Sequence, residues 1–381
     1  MVTKYRNPIN LPISGHKLVT CHYPLRIDTY SSCFHECLYC YGRSILSSVN
    51  AWTPLKVKVA DINEIKENLF HYMYQEDSSK NKNSIAKAIQ NKVPVRIGGQ
   101  TDCFQPAEKK HRVSLDLIKF LNSIDYPYLI VTKSDLLREE EYLYSLRKDL
   151  AYVQITITTL DRTVARLLET RAPSPESRLW TLKKLREKGV FVAGRISPII
   201  PQINEEGLFS LIDEMEKSGV PHIVFEFFRG SEEMIKEIEN ATGIKVQPME
   251  ERGFYLRMSN FKKEELYRAV AQYMYHRLPT FTFCSDGTPL PYDIHSCLNC
   301  CGWDTLIKQL PRSRFGFGNE KVAPVVFQRM KEQGEVYRGN FADCFTFTEE
   351  AFRKCWYKGE FTSYLPHCGW DHKRKKYFWK K

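Results

Sequence analysis

Apolar positions in the first 230 residues gather into short extended runs, separated by longer stretches in which they recur every three or four residues. The extended runs fall at 25–30, 93–97, 128–132, 152–158, 190–196 and 222–228 and read as strands. The stretches between them read as amphipathic helices with recognisable ends. Asp61 is placed to cap a helix carrying Ile62, Ile65 and Leu69, and Ser114 to cap one with Leu117, Ile118 and Leu121 on its apolar stripe. Ser174-Pro175 opens and Gly189 closes a helix bearing Leu179, Leu182 and Leu185; Asn204 and Gly219 bracket another with Leu208, Leu211, Ile212 and Met215. Six strand-then-helix units in series predict an α/β fold with a parallel sheet, because each crossover returns the chain on the same side. Periodicity alone fits a doubly wound sheet and a (β/α) barrel equally well.

Composition narrows the class. With 43% hydrophobic and 27% charged residues among 381, the chain is an ordinary globular protein, not a disordered, collagenous or coiled-coil one. No apolar run reaches the roughly 20 residues of a membrane helix, and the first fifteen residues lack the apolar core of a signal peptide, so a soluble cytoplasmic protein without a membrane partner is expected. The formal charge of +11 favours a polyanionic partner. Residues 371–381, DHKRKKYFWKK, set Tyr377, Phe378 and Trp379 among six basic residues and one acid, a mixture suited to phosphate contact and base stacking or simply to a solvated terminus.

The twelve cysteines lie mostly in tight groups, which in a reducing compartment points to metal rather than disulfides. Cys33-Phe-His-Glu-Cys37-Leu-Tyr-Cys40 offers three thiolates in eight residues just after the first strand, the carboxyl edge where α/β folds bind ligands. Three cysteines leave an iron–sulfur cubane with one iron open to a ligand; a zinc knuckle is the structural alternative. A second group, Cys284, Cys297, Cys300 and Cys301, predicts another metal, zinc or iron–sulfur, with His295, Cys344, Cys355 and Cys368 as competing ligands. Around it Phe281, Phe283, Tyr292, Trp303, Trp356 and Trp370, with Arg312 and Arg314, suit either base stacking or core packing.

The Cys33-x3-Cys37-x2-Cys40 loop, with Tyr39 before its last cysteine, resembles the cluster motif of radical S-adenosylmethionine (SAM) enzymes, and most closely that of the spore photoproduct lyase and photolyase-like group. The resemblance spans about residues 20–230. It implies a partial (β/α)6 TIM-type barrel over residues 1–250, beyond which the cysteine grouping itself predicts a Cys-rich C-terminal domain over 251–381 that helps close the barrel mouth. It further implies a [4Fe–4S] cluster held by Cys33, Cys37 and Cys40, SAM as the second cofactor, and a reductant such as flavodoxin or ferredoxin. Gly98-Gly99-Gln100 is similar to the glycine-rich segment that receives the SAM amino group, followed by the Thr101-Asp102 turn. Lys133, within Val131-Thr132-Lys133, would neutralise the SAM carboxylate, and Thr156, Thr158, Arg195 and Ser197 would contact ribose, carboxylate or adenine. Glu169 and Arg178 match an acidic-then-Pro segment after the fourth strand. Spore photoproduct lyase carries a hydrogen-donating cysteine shortly before its Ser/Thr-Asp turn, where this chain has Gly99-Gln100; Cys103 is the nearest thiol, and is either the candidate donor or a buried small hydrophobe. The resemblance thus implies hydrogen abstraction from a nucleic acid base or nucleoside, in repair or modification. A radical SAM enzyme acting on a peptide or metabolite, and a non-catalytic metal-stapled nucleic-acid-binding protein, are the rival readings.

Overall fold

The computed structural model describes residues 25–48, 56–74, 94–252, 255–274 and 279–284, short strands at 4–5, 9–10, 335–337, 368–371 and 376–379, and a few single positions between them. The strands that position the site are β1 (Ile9–Asn10), β2 (Arg26–Ile27), β3 (Val95–Ile97), β4 (Tyr128–Thr132), β5 (Ala151–Thr156), β6 (Phe191–Ile199), β7 (His222–Phe227) and β8 (Thr280–Phe283). They form one sheet in the order β8-β7-β6-β5-β4-β3-β2-β1. All neighbours from β2 to β8 are parallel, and only β1 joins antiparallel. This is the partial TIM-type architecture expected for residues 1–250, with one parallel strand, β8, drawn in from beyond residue 250.

The interior strands form because they are apolar on both faces: every residue of β5 is buried, as are five of the six in β7. Phe283 on β8 stacks on Phe225 with ring centroids 5.0 Å apart, so the aromatic residues at 281 and 283 pack the sheet rather than a separate domain. Around the sheet lie α1 (Tyr41–Ser48), α2 (Ile62–Tyr74), α3 (Val113–Ser123), α4 (Glu140–Ser145), α5 (Arg162–Leu168), α6 (Pro175–Glu187), α7 (Leu208–Lys217), α8 (Glu232–Thr242) and α9 (Asn260–Met274). No helix among the described residues is long and apolar enough to cross a membrane.

Two helix ends follow the sequence: Asp61 accepts from Asn63 N–H at 3.0 Å, and Ser174 caps α6 through Ser177 N–H. Two depart from it. The cap position of α3 is Arg112, in the left-handed region, and Ser114 lies inside the first turn with its hydroxyl donating to the Cys103 carbonyl at 2.6 Å. There the buried Glu108 carboxylate takes the Ser114 and Leu115 N–H groups, doing the work of a cap from outside the helix. Asn204 likewise starts no helix. α7 begins after Gly207, while Asn204 clips a loop by accepting from Ile200 N–H at 2.7 Å and donating to the Thr158 and Pro198 carbonyls.

Candidate active site

β2 ends at the carboxyl edge of the sheet, and the chain then runs through the three-cysteine loop into α1. Distant segments tie the loop on every side. Phe34 N–H donates to Gln105 Oε1 at 2.8 Å, and Gln105 Nε2 donates to the Ser32 carbonyl at 2.6 Å. Leu38 N–H reaches the Leu168 carbonyl at 2.9 Å, and Arg171 N–H the His35 carbonyl at 3.3 Å. Within the loop Cys40 N–H closes a turn onto the Cys37 carbonyl at 3.1 Å. Backbone N–H groups point at two of the sulfurs: His35 at Cys33 Sγ (3.5 Å) and Arg43 at Cys40 Sγ (3.3 Å).

These thiols resist ionising alone. Burial pushes Cys33 well up, with Asp102 and the other two cysteines adding to it, and burial raises Cys37 to about 12 against the pull of Lys133. A cation among them reverses that balance, since an iron-bound thiol is deprotonated outright. Three thiols gathered on one loop, two of them receiving N–H donors, fit a cubane cluster with a fourth, open iron. No three His, Cys, Asp or Glu among the described residues converge as ligands of a single metal ion.

Two carboxylates, the half-buried Asp102 and the buried Glu169, brace the loop. Asp102 lies with its Oδ2 3.3 Å from His35 Nε2, accepts from Lys133 N–H (2.8 Å) and from Thr132 Oγ1 (2.7 Å), and these contacts outweigh its burial and hold it at about 2. Glu169 lies against Arg178, the two side chains each 1% exposed, and accepts from the Tyr39 and Thr158 hydroxyls. Burial pushes Glu169 up, but Arg178 and Lys133 prevail and its carboxyl sits at about 2. Arg178 donates further to the Thr156 and Pro173 carbonyls, at 2.9 Å each. Lys133 Nζ stands 5.2 Å from the centroid of the Tyr39 ring. Tyr39, Lys133, Thr158, Glu169 and Arg178, singled out one by one in the sequence, therefore form one network directly under the cluster loop. Thr158, expected at the ribose, has its hydroxyl within that network.

The glycine-rich turn after β3 closes another side. Gly98 takes φ +85°, which only glycine adopts freely. The backbone N–H groups of Gly99, Gln100 and Thr101 all donate to Asp28 Oδ1, and a side chain at Gly42, in the first turn of α1, would overlap the Gln100 carbonyl. The turn thus packs on the residue two after Cys40. Arg195 and Ser197 form a neighbouring group on β6: both donate to Glu226 of β7, Ser197 at 2.7 Å, and Arg195 also to Gln154 Oε1 on β5 at 3.1 Å. Burial raises Glu226, but Arg195 and Arg229 outweigh it and hold the carboxyl at about 2.

Cys103 is sealed in the core at 0% exposure, where Thr29 N–H donates to its sulfur at 3.3 Å, and burial pushes its thiol up. These are the surroundings of a packed core thiol, the second of the two readings the sequence leaves open for it. Cys284 ends β8, its N–H donating to the Phe225 carbonyl at 2.6 Å. The second-metal ligands Cys297, Cys300 and Cys301 lie outside the described residues, as do His295, Cys344 and Cys355.

Sequence reasoning missed Asp28, Gln105 and Glu226. A signal existed for two of them: Asp28 is a lone acid inside the 25–30 run, and Glu226 in IVFEFF and Arg195 in VAGRIS are lone, opposite charges inside neighbouring apolar strands. Gln105 gives no such sign.

Residues 27–215 match the sequence profile of the Radical SAM superfamily. An uncharacterized protein of Methanocaldococcus jannaschii is 30% identical over 203 residues, covering 52% of this chain and 67% of that protein. An uncharacterized protein of Mycobacterium tuberculosis is 24% identical over 199 residues, covering 51% of this chain and 55% of its own. In fold the chain is similar to a spore photoproduct lyase variant solved with dinucleoside spore photoproduct, with a TM-score of 0.55 at 16% identity over 74% of this chain and 81% of that one. A second variant of that lyase, solved with bound SAM and the same dinucleoside, gives 0.54 at 16% identity over 73% and 80%.

Proposed function

The chain belongs to the radical SAM superfamily, and from that premise we propose that it reductively cleaves SAM and takes hydrogen from a nucleic acid base or nucleoside. The observation that carries the first part is the convergence of Cys33, Cys37 and Cys40 with the 98–101 turn and Lys133 at the carboxyl edge of the sheet. When bound there, a [4Fe–4S] cluster supplies the electron that splits SAM into methionine and a 5'-deoxyadenosyl radical.

The chain's own residues do the binding and orienting. Cys33, Cys37 and Cys40 would hold the cluster, and the N–H donors on Cys33 and Cys40 stabilise charge on the sulfurs. Lys133, beside Tyr39 and Cys37, supplies a cation for the SAM carboxylate. A free carbonyl of the 98–101 turn would accept from its amino group, and Arg195, Ser197 and Glu226, joined across β6 and β7, would offer donors and an acceptor to its nucleoside end. Burial around the loop keeps water from the reacting centre.

The nucleic-acid part of the reading is supported by the charge of +11, by the basic and aromatic residues 371–381, and by a fold shared with a lyase solved with a dinucleoside lesion. A flavodoxin- or ferredoxin-type protein would supply the electron. A second metal at Cys284, Cys297, Cys300 and Cys301 completes the proposal, with the Cys-rich unit expected over 251–381 beginning only after β8, which belongs to the barrel sheet.

The test is anaerobic reconstitution with iron and sulfide, addition of SAM and reductant, and quantification of 5'-deoxyadenosine by mass spectrometry with and without DNA or RNA. Output that rises with nucleic acid is the expected result. Equal output without it moves the substrate to a peptide or metabolite, and no output from protein shown to hold the cluster overturns the enzymatic reading.

A further inference from the structure

The turn after β3 is organised from outside itself. Asp28, the residue immediately after β2, is 0% exposed, and its Oδ1 accepts the N–H groups of Gly99, Gln100 and Thr101 at 2.8, 2.9 and 3.2 Å. Successive N–H groups that converge on one anion form a nest, and the peptide carbonyls of such a segment point away from the anion. The Gly98 carbonyl is already taken by Arg96 Nε at 2.8 Å. The Gln100 carbonyl has its direction fixed by the packing: it occupies the space that a side chain on Gly42 would need, and a Cβ there would stand 3.7 Å from Cys40 Sγ. An acceptor of fixed direction therefore lies against Gly42, close to the last ligand of the cluster loop. The other carboxylate oxygen, Oδ2, is buried without a hydrogen-bond partner and lies 3.4 Å from Arg26 Nε. Burying a carboxylate whose second oxygen is answered only by an ion pair with Arg26 is a costly way to finish a four-residue turn, since a turn can satisfy its N–H groups with water or its own carbonyls. The arrangement makes sense where the facing of the peptide planes matters more than the turn's own stability.

We propose that Asp28 is a positioning residue for the SAM amino group: it draws three N–H groups to one side of the 98–101 turn and so presents the Gln100 carbonyl to the amino group at the cluster. The proposal deepens the reading of that turn as the SAM site and rests on it. Asp28 does not touch SAM; it fixes the acceptor that does.

The experiment is a binding cycle on the full-length, cluster-loaded protein. SAM and an analogue in which hydrogen replaces the amino group are each titrated into wild type and Asp28→Asn by isothermal calorimetry, at matched iron content and with the thermal transition of both proteins recorded. Asp28→Asn is expected to weaken SAM by at least about tenfold while changing the analogue by less than about twofold, because the substitution acts only through the amino-group acceptor. Equal weakening of both ligands, or of neither, overturns the proposal, since a merely structural role cannot single out one functional group. If Asp28→Asn does not fold, Asp28→Ser, smaller and still an acceptor, enters the same cycle; failure of both to fold assigns Asp28 to the fold and overturns the proposal. Wild-type protein that holds the cluster but binds no SAM removes the premise instead, which separates the two failures.

Discussion

Replacing Arg178 by Met isolates the electrostatics under the cluster loop. The Glu169 and Arg178 side chains are each 1% exposed, and the carboxyl falls from an ordinary 4.5 to about 2 despite its burial. A displacement of that size corresponds to about 3 kcal/mol of native-state stability at neutral pH, at roughly 1.4 kcal/mol per unit. The folded value lies below the unfolded one, so this contribution is complete above about pH 4.5 and is lost as pH falls towards about 2. Removing the guanidinium leaves the carboxylate buried with two hydroxyls and a more distant lysine, at a cost of about 3–5 kcal/mol. For a domain of this size that is a fall in Tm of roughly 6–20 °C, read by circular dichroism on the iron-free protein at pH 7. The gap between wild type and Arg178→Met should narrow at pH 3, where the stranded carboxylate takes up a proton. Adding Glu169→Gln to Arg178→Met should recover most of the loss, because a neutral amide needs no counter-charge. A single variant within about 1 kcal/mol of wild type at pH 7, or a double variant no better than the single, would show that the pair is not what braces the loop.

Further outcomes follow from the same geometry. Gly42→Ala should lower the iron loaded per chain severalfold, because its Cβ overlaps the Gln100 carbonyl, whereas Gly207→Ala meets nothing within 4 Å and should load normally; iron and sulfide assays on both decide it. Cys37→Ala should abolish 5'-deoxyadenosine formation while leaving the far-ultraviolet spectrum unchanged, and retained turnover would remove Cys37 from the cluster ligands. Arg195→Met should move the acid-unfolding midpoint to higher pH, since Glu226, held at about 2 partly by Arg195, then protonates earlier; an unmoved midpoint contradicts the pairing.

What the sequence discloses here depends on how local each determinant is. β4 and β5 are legible because burial on both faces demands mostly apolar residues, and the caps at Asp61 and Ser174 are legible because each serves its own helix. Ser114 and Asn204 mislead because tertiary partners, Glu108 and Cys103 in one case and the Thr158 and Pro198 carbonyls in the other, compete for the same groups. The cluster loop is legible from spacing alone, since all three thiols lie within eight residues. Asp28 is not, because the N–H groups it serves lie 71 to 73 residues away and only the closed sheet brings them together. Cys103 stays open in the sequence because a sequence cannot distinguish a thiol at the edge of a cavity from one sealed beneath it.

The ties on the cluster loop also set a timetable for making the protein. Tyr39 meets Thr158 and Glu169 across 119 and 130 residues of chain. At a synthesis rate of about 5–20 residues per second, roughly 7–26 s separate the appearance of Tyr39 from that of Glu169. Throughout that interval the three thiols are on the ribosome-bound chain without Leu168, Glu169, Arg171 or Arg178 to shape the loop around them. Iron captured then would meet a flexible thiol segment rather than a socket, and oxidants would meet it unshielded. The cell's delivery of iron and sulfide is thus best matched to the finished barrel, after residue 178 has emerged and the carboxyl edge of the sheet has closed.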